Sequence, residues 1–236
     1  MVLRFFLLAA TFFLSCTEVQ RDNPYDSGGI NFRGGEVSPS SASTQTGIIR
    51  GTPVDYGNEI YETVVIGTQT WMARNLNYNA NNSQCYDDNE NNCTYFGYGR
   101  LYRWYTAMSV CPNGWHLPSQ EDWTTLVKFV GSQAVGNKLK NSNNWNGRDI
   151  YGFSALPGGF CHYEWMSTSV AEVHKGCRYS HVGTNGYWWS GTESYESSAK
   201  YVEITDDDNI YGMGIVNGMG SASKDDYLFS VRCLKD

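Results

Sequence analysis

Apolar residues recur along this chain in short blocks, and their spacing changes from one block to the next. In "EIYETVVIGTQTWMARNLNY" the β-branched run Val64-Val65-Ile66 reaches a turn at Gly67-Thr68-Gln69, and Trp71 to Leu76 returns, which predicts a hairpin. In "GRLYRWYTAM" the residues Leu101, Trp104, Tyr105 and Met108 fall at i, i+3, i+4 and i+7, the stripe of a buried helix that Pro112 would stop. "CPNGWHLPSQEDW" then starts a second helix. Ser119 is its N-cap, Asp122 three residues on makes a shortened capping box, and Pro118 faces Trp123 where a hydrophobic staple falls. Trp123, Leu126, Val127 and Val130 continue its apolar face, and Gly131 supplies a stop.

After the helices the pattern turns strand-like. "GFSALPGGF", "GYWWSGT", "AKYVEIT", "NIYGMGIV" and "YLFSVRCLKD" are short β-rich runs bounded by Gly, Asp and Ser. The predicted order is therefore a hairpin, two short helices and a run of strands, with no internal repeat.

The N-terminal blocks differ in kind. One positive residue, Arg4, precedes an apolar run from Phe5 to Leu14, too short for a bilayer span and the right length for a signal-peptide core. It ends at Leu14-Ser15-Cys16, which resembles a bacterial lipobox with Phe13 in the usual Leu position. Residues 1–16 are accordingly expected to be a lipoprotein signal peptide, with Cys16 lipidated; an ordinary secretory signal cut nearby is the alternative. Residues 17–53 carry no apolar period at first and are rich in Gly, Ser and Thr, so they read as a flexible polar tether ahead of a domain at 54–236.

Composition narrows the classes. Charged residues are only 17% of the 236, aromatics reach 15%, and there are 25 glycines, a mix that favours many turns between aromatic strands over a helical bundle. The net charge of −7, with no basic run, argues against a nucleic-acid partner. There are 7 cysteines. Acylation of Cys16 would leave Cys85, Cys93, Cys111, Cys161, Cys177 and Cys233, an even set such as an exported disulfide framework needs. Six cysteines still allow fifteen pairings. The polar loop "CYDDNENNC" must bring its ends together, as a local disulfide between Cys85 and Cys93 would do.

Candidate chemistry is sparse. Three of the four histidines, His162, His174 and His181, share "CHYEWMSTSVAEVHKGCRYSH" with Cys161 and Cys177, a conceivable metal or enzyme site that lacks the tight C-x2-C spacing of structural zinc. "TDDDN" (205–209) gathers carboxylates as a calcium loop does, without the Gly and distal Glu of an EF-hand; ordinary turn chemistry explains it equally. Glu121 and Asp122 sit where acids favour a helix N-terminus, rather than as an acid/base pair. The chain has no G-x-S-x-G, no His-Glu-x-x-His and no phosphate-cradling loop, so no catalytic residue, metal or cofactor is assigned. Tyr187, Trp188 and Trp189 are the candidate ligand-binding aromatics. On a strand one face takes Trp188 and the other Tyr187 and Trp189, so at least one side could present rings to a sugar or a protein.

"IGTQTWMARNLNY", "CYDDNENNC", "GRLYRW", "CPNGWHLPSQEDW", "GFSALPGG", "YWWSGTE" and "SVRCLKD" occur in an order that resembles the Fibrobacter succinogenes major paralogous domain family. That family looks like a branch of the C-type-lectin-like and sulfatase-modifying-factor superfold. The resemblance implies an α+β, loop-rich, disulfide-stapled domain with two short helices, a small twisted and mostly antiparallel sheet, and termini brought together. It also implies pairings: Cys111 with Cys233, Cys85 with Cys93, and Cys161 with Cys177. The lectin calcium signatures are missing; "WNGRD" at 145–149 comes nearest and departs at its third residue. The expected function is a non-enzymatic binding or adhesion domain for polysaccharide or a surface protein, lipid-anchored to the cell envelope at the outer membrane or cell surface. The alternatives are a structural envelope component, and an enzyme or metal protein using residues 161–181.

Overall fold

Strand pairing in this chain begins inside the expected tether. A computed structural model describes residues 47–131, 133–167, 173–208, 210–211 and 220–236. Within it β1 (Ile49–Arg50) pairs antiparallel with β4 (Thr63–Ile66), Ile49 opposite Val65, so ordered backbone starts before residue 54. Between them β2 (Val54–Tyr56) and β3 (Glu59–Tyr61) form a separate hairpin. Its turn, Gly57-Asn58, has φ of 63° and 64°, the left-handed pair that a two-residue hairpin loop demands.

The predicted hairpin is present: β4 pairs with β5 (Gln69–Met72), and Gly67 turns the chain at φ 62°. Gln69 belongs to the returning strand rather than to the turn. β6 (Ser83–Gln84) follows, then a 3-10 turn at Tyr86–Asp88 and α1 (Glu90–Cys93), capped by the Asn89 side chain. The stripe at 101–108 does not form one helix. Leu101–Tyr102 is β7, and α2 is a single turn, Trp104–Ala107, which leaves Tyr105 56% and Met108 48% exposed. The strand-pairing demand of Leu101 and Tyr102 overrides the helical spacing: both pair with β6 and with the later strand Tyr227–Ser230.

β8 (Trp115–His116) leads into α3 (Gln120–Val130). Its reciprocal cap matches expectation: the Asp122 N–H donates to Ser119 Oγ at 3.2 Å, and the Ser119 N–H to Asp122 Oδ2 at 2.8 Å. Trp123, Leu126, Val127 and Val130 are buried, and Gly131 ends the helix at φ 88°. A short α4 (Val135–Leu139) follows. Four helices, not two, thus stand among the described residues, and only α3 is long.

The second half is β9 (Gly158–Ser167), β10 (Val173–Val182), β11 (Gly186–Tyr195), β12 (Ser198–Ile204), β13 (Ile210–Tyr211), β14 (Gly220–Ser223), β15 (Tyr227–Ser230) and β16 (Leu234–Lys235). "GFSALPGGF" is irregular up to Pro157, and residues 212–216 of "NIYGMGIV" lie outside the described residues. The sheet is not single and small. One sheet has five strands in the order β1-β4-β5-β16-β8; another follows β13-β12-β11-β9-β15-β7-β6, with β10 on β9 and β14 on β12. Pairing is mostly antiparallel, with β11 parallel to β9 and β15 at single contacts. Strands from both ends of the domain meet in the first sheet, since Leu234 pairs with Trp71 and His116.

All three expected disulfides are formed: Cys85–Cys93, Cys111–Cys233 and Cys161–Cys177. The second spans 122 residues and fixes the corner between α2 and α3 to the strand at the C-terminal end of the domain.

At the centre lies a charge. Arg232 is fully buried and donates through Nε and Nη2 to Asn75 Oδ1, at 3.1 and 2.7 Å. Through Nη1 it donates to the Met72 carbonyl at 3.2 Å and to the Phe153 carbonyl, and its guanidinium sits 4.5 Å over the Phe153 ring. Asn75 Oδ1 also accepts the Trp188 indole N–H at 2.8 Å, while its Nδ2 donates to the Tyr98 carbonyl at 2.8 Å. Burial pulls Arg232 down to about 9, which leaves it charged at neutral pH. Around this hub the rings of Trp71, Trp123, Phe153 and Trp188 pack with centroids 4.8 to 6.4 Å apart.

Two outcomes follow for stability. Asn75→Ala strands three N–H donors and should cost about 3 kcal/mol or more in denaturant unfolding of the oxidised protein, whereas Arg232→Met, which removes the charge with its donors, should cost less. Cys111→Ala with Cys233→Ala should lose up to about 5 kcal/mol by the chain-entropy estimate, against about 3 for opening Cys161–Cys177, read as shifts in denaturation midpoint.

Candidate functional site

The expected ligand-binding aromatics prove to be core. Trp188 and Trp189 are 0% exposed and Tyr187 6%. The alternation of β11 is real, but both faces are covered. Trp188 joins the cluster under α3 with Val202 and Ile204, while Tyr187 and Trp189 join the opposite cluster with Phe229 and Val231. β11 lies inside its sheet between β12 and the pair β9 and β15, and with a cluster packed on each face neither tryptophan reaches solvent. The Trp189 indole N–H is spent on the Tyr102 carbonyl at 2.7 Å.

Among the described residues of the 161–181 segment, the two cysteines are paired with each other and the described histidines stack on aromatic rings. The segment runs out along β9 and back along β10, and Cys161 is bonded to Cys177, which removes both thiolates. His162 stacks on Tyr227 at 4.5 Å and His181 on Phe160 at 5.4 Å; the side chain of His174 lies outside the described residues. Among the described residues the one grouping of donors close enough to share a metal is Cys85, Glu90 and Cys93. Its sulfurs are joined to each other, and Glu90 pairs with Arg100 at 3.0 Å.

The acidic loop at 205–208 is organised by a cation from within. Lys140, 2% exposed, extends its ammonium to Asp208 Oδ1 at 2.6 Å, the Asp206 carbonyl at 3.0 Å and the Thr205 carbonyl at 3.4 Å, and lies 5.1 Å over the Trp145 ring. Three oxygens of the loop, the Asp208 carboxylate Oδ1 and the carbonyls of Thr205 and Asp206, are turned toward Nζ. Asn209 lies outside the described residues.

What remains is a cleft on the far side of the second sheet. Its volume is about 260 Å³, and Phe160, Tyr187, Tyr201, Tyr227 and Phe229 bring their rings to it, with Glu203 and His181 as its titratable groups. β12 explains the juxtaposition: Val202 and Ile204 point into the α3 core, so Tyr201 and Glu203 point the other way. Gly220 on β14 lets the Tyr201 ring approach, since a Cβ there would lie 2.3 Å from its ring carbon Cζ. Glu203 Oε1 accepts from Asn185 Nδ2 at 2.6 Å and from the Tyr187 hydroxyl at 2.8 Å. Burial first, then the bond to Glu203, pushes the Tyr187 hydroxyl well above its ordinary value, and burial raises Tyr201 too. Both phenols are therefore neutral donors at physiological pH.

Only Tyr187 of the three expected binding residues borders this cleft. Tyr201, Glu203, Phe160 and Tyr227 escaped the sequence reading. The available signal was the period of two in "AKYVEIT", which sets a Tyr and a Glu against a Val and an Ile.

These features define a loop-rich, mostly β domain stapled by three disulfides, with its specifying polar contacts inside and one aromatic, acidic cleft outside. The chain belongs to the Fibrobacter succinogenes major domain family, whose model matches residues 64–235. No curated protein and no solved structure matches it.

Because Lys140 already fills the acidic loop, melting temperature should be the same in excess calcium and in chelator. A rise of several degrees with calcium would show that the loop takes a metal.

Proposed function

We propose that this protein is a lipid-anchored component of the bacterial cell envelope, exported and held at the outer membrane or cell surface through Cys16. Its C-type-lectin-like domain is a non-catalytic binding or adhesion module for polysaccharide or a surface protein. Three disulfides support an oxidising compartment, because glutathione keeps cytosolic thiols reduced. The long closure from Cys111 to Cys233, with first and last strands in one sheet, supports the lectin-like assignment.

The observation that carries the binding reading is the cleft. Rings with a polar handle beside a positioned carboxylate are the groups that recognise sugars and surface epitopes, and about 260 Å³ suits one sugar unit or one side chain rather than a large cofactor. Within the cleft Glu203 is engaged by an amide and a phenol that donate to it, which supports a positioning carboxylate over a general base.

The test has two parts. Intact mass of envelope-extracted protein should show an acylated Cys16 at the N-terminus and a mass increase on reduction that corresponds to three disulfides. The mature domain should be retained on an array of envelope polysaccharides and surface proteins, and Tyr201→Ala should weaken that retention about tenfold while the domain still melts cooperatively at a somewhat lower temperature. No retention, together with cross-links to fixed neighbours in intact cells, would make the protein a structural envelope component instead.

A further inference from the structure

The cleft is built unlike a sugar platform. A platform presents one flat ring to the face of a pyranose, but these rings are inclined to each other around a hollow. Phe160 meets Tyr187 at 79° and Tyr227 at 43°, while Tyr187 meets Tyr201 at 50°, with centroids 5.0 to 6.0 Å apart. Several aromatic rings lining one hollow can offer it a ring face, whose negative quadrupole attracts a cation. The charge of the lining agrees: it holds the carboxylate of Glu203, the His181 imidazole stacked on Phe160, and no Lys or Arg. Asn185 and Tyr187 both bind Glu203 Oε1, and Oε2 has no partner among the described residues.

We propose that the cleft binds a quaternary ammonium group, with its methyls against Phe160, Tyr187, Tyr201 and Tyr227 and its charge beside Glu203. This rests on the binding reading above and names its ligand class. A primary ammonium would bring three N–H donors into the hollow, where Glu203 and Ser221 are the acceptor side chains not made of a ring. A quaternary ammonium brings none, and its apolar shell suits aromatic walls. Such a group could come from a choline-type lipid headgroup or from a choline-substituted polysaccharide.

The experiment is calorimetric titration of the oxidised full-length mature protein with choline and with dimethylbutanol, its uncharged isostere. Choline should bind saturably and at least about tenfold more tightly than the isostere. Glu203→Gln, which keeps an acceptor for Asn185 and Tyr187, should weaken choline about tenfold and leave the isostere unchanged. Tyr201→Ala should weaken both. Retention on phosphatidylcholine vesicles in excess of that on phosphatidylglycerol vesicles, which the Cys16 acyl chains enter equally, would assign the lipid source, and retention only on choline-substituted polysaccharide the glycan source; either supports the proposal. Equal affinity for choline and the isostere, or no saturable choline binding, overturns the ammonium assignment. If the same protein is still retained on the envelope array, through Tyr201, the binding reading survives; if it is not, both fall.

Discussion

A guanidinium in the middle of the protein organises the rest. Removing Arg232 from water costs several kcal/mol, which the interior must offset with acceptors placed around it. Four of its five N–H groups find such acceptors, two on Asn75 and two on the carbonyls of Met72 and Phe153. Those carbonyls belong to segments where the chain leaves regular pairing. In a loop-rich fold many backbone oxygens have no ladder partner, and a buried cation with several donors can serve two or three of them at once. Lys140 does the same for the carbonyls of Thr205 and Asp206, and Lys224 for that of Glu196. A low content of charged residues therefore coexists with cations deep inside. They are fastenings for irregular backbone.

The family motifs converge on that hub. Asn75 comes from "IGTQTWMARNLNY", Phe153 from "GFSALPGG", Trp188 from "YWWSGTE" and Arg232 from "SVRCLKD", and all four touch one another through the contacts of Asn75 and Arg232. The segments by which the sequence resembles its family thus specify how loops are held, and they say little about a ligand. Glu203, Tyr201 and Phe160 stand outside those motifs, on strands whose inner faces do the folding. Apart from Tyr187, which lies in "YWWSGTE" and borders the cleft, the residues that hold the fold and those that line the cleft are different, so one framework can accept different clefts.

Local signals were legible where they acted locally. The 64–72 hairpin, the capped helix after Ser119 and the Cys85–Cys93 loop depend on neighbours within a few residues, and each formed as its pattern indicated. The pairing of Cys111 with Cys233 was legible only through family likeness, because 122 residues separate the two. Misreadings arose where a distant partner decided. Leu101 and Tyr102 had helical spacing but were claimed by β6 and β15. The Trp188-Trp189 pair had strand alternation, yet nothing nearby in sequence indicated that both faces of β11 would be covered. The cleft was missed because its rings come from four strands that only the sheet order brings together.

The position of β16 has a consequence for how the protein is made. This short strand lies between β5 and β8, and the adjoining Arg232 reaches Met72 across 160 residues. Neither the first sheet nor the polar hub can close until the last of these residues has emerged from the ribosome. A nascent chain in that condition has high contact order and no early stopping point, so it stays open during synthesis. The closing strand, the polar hub and the Cys111–Cys233 bridge are therefore completed together, as one late step.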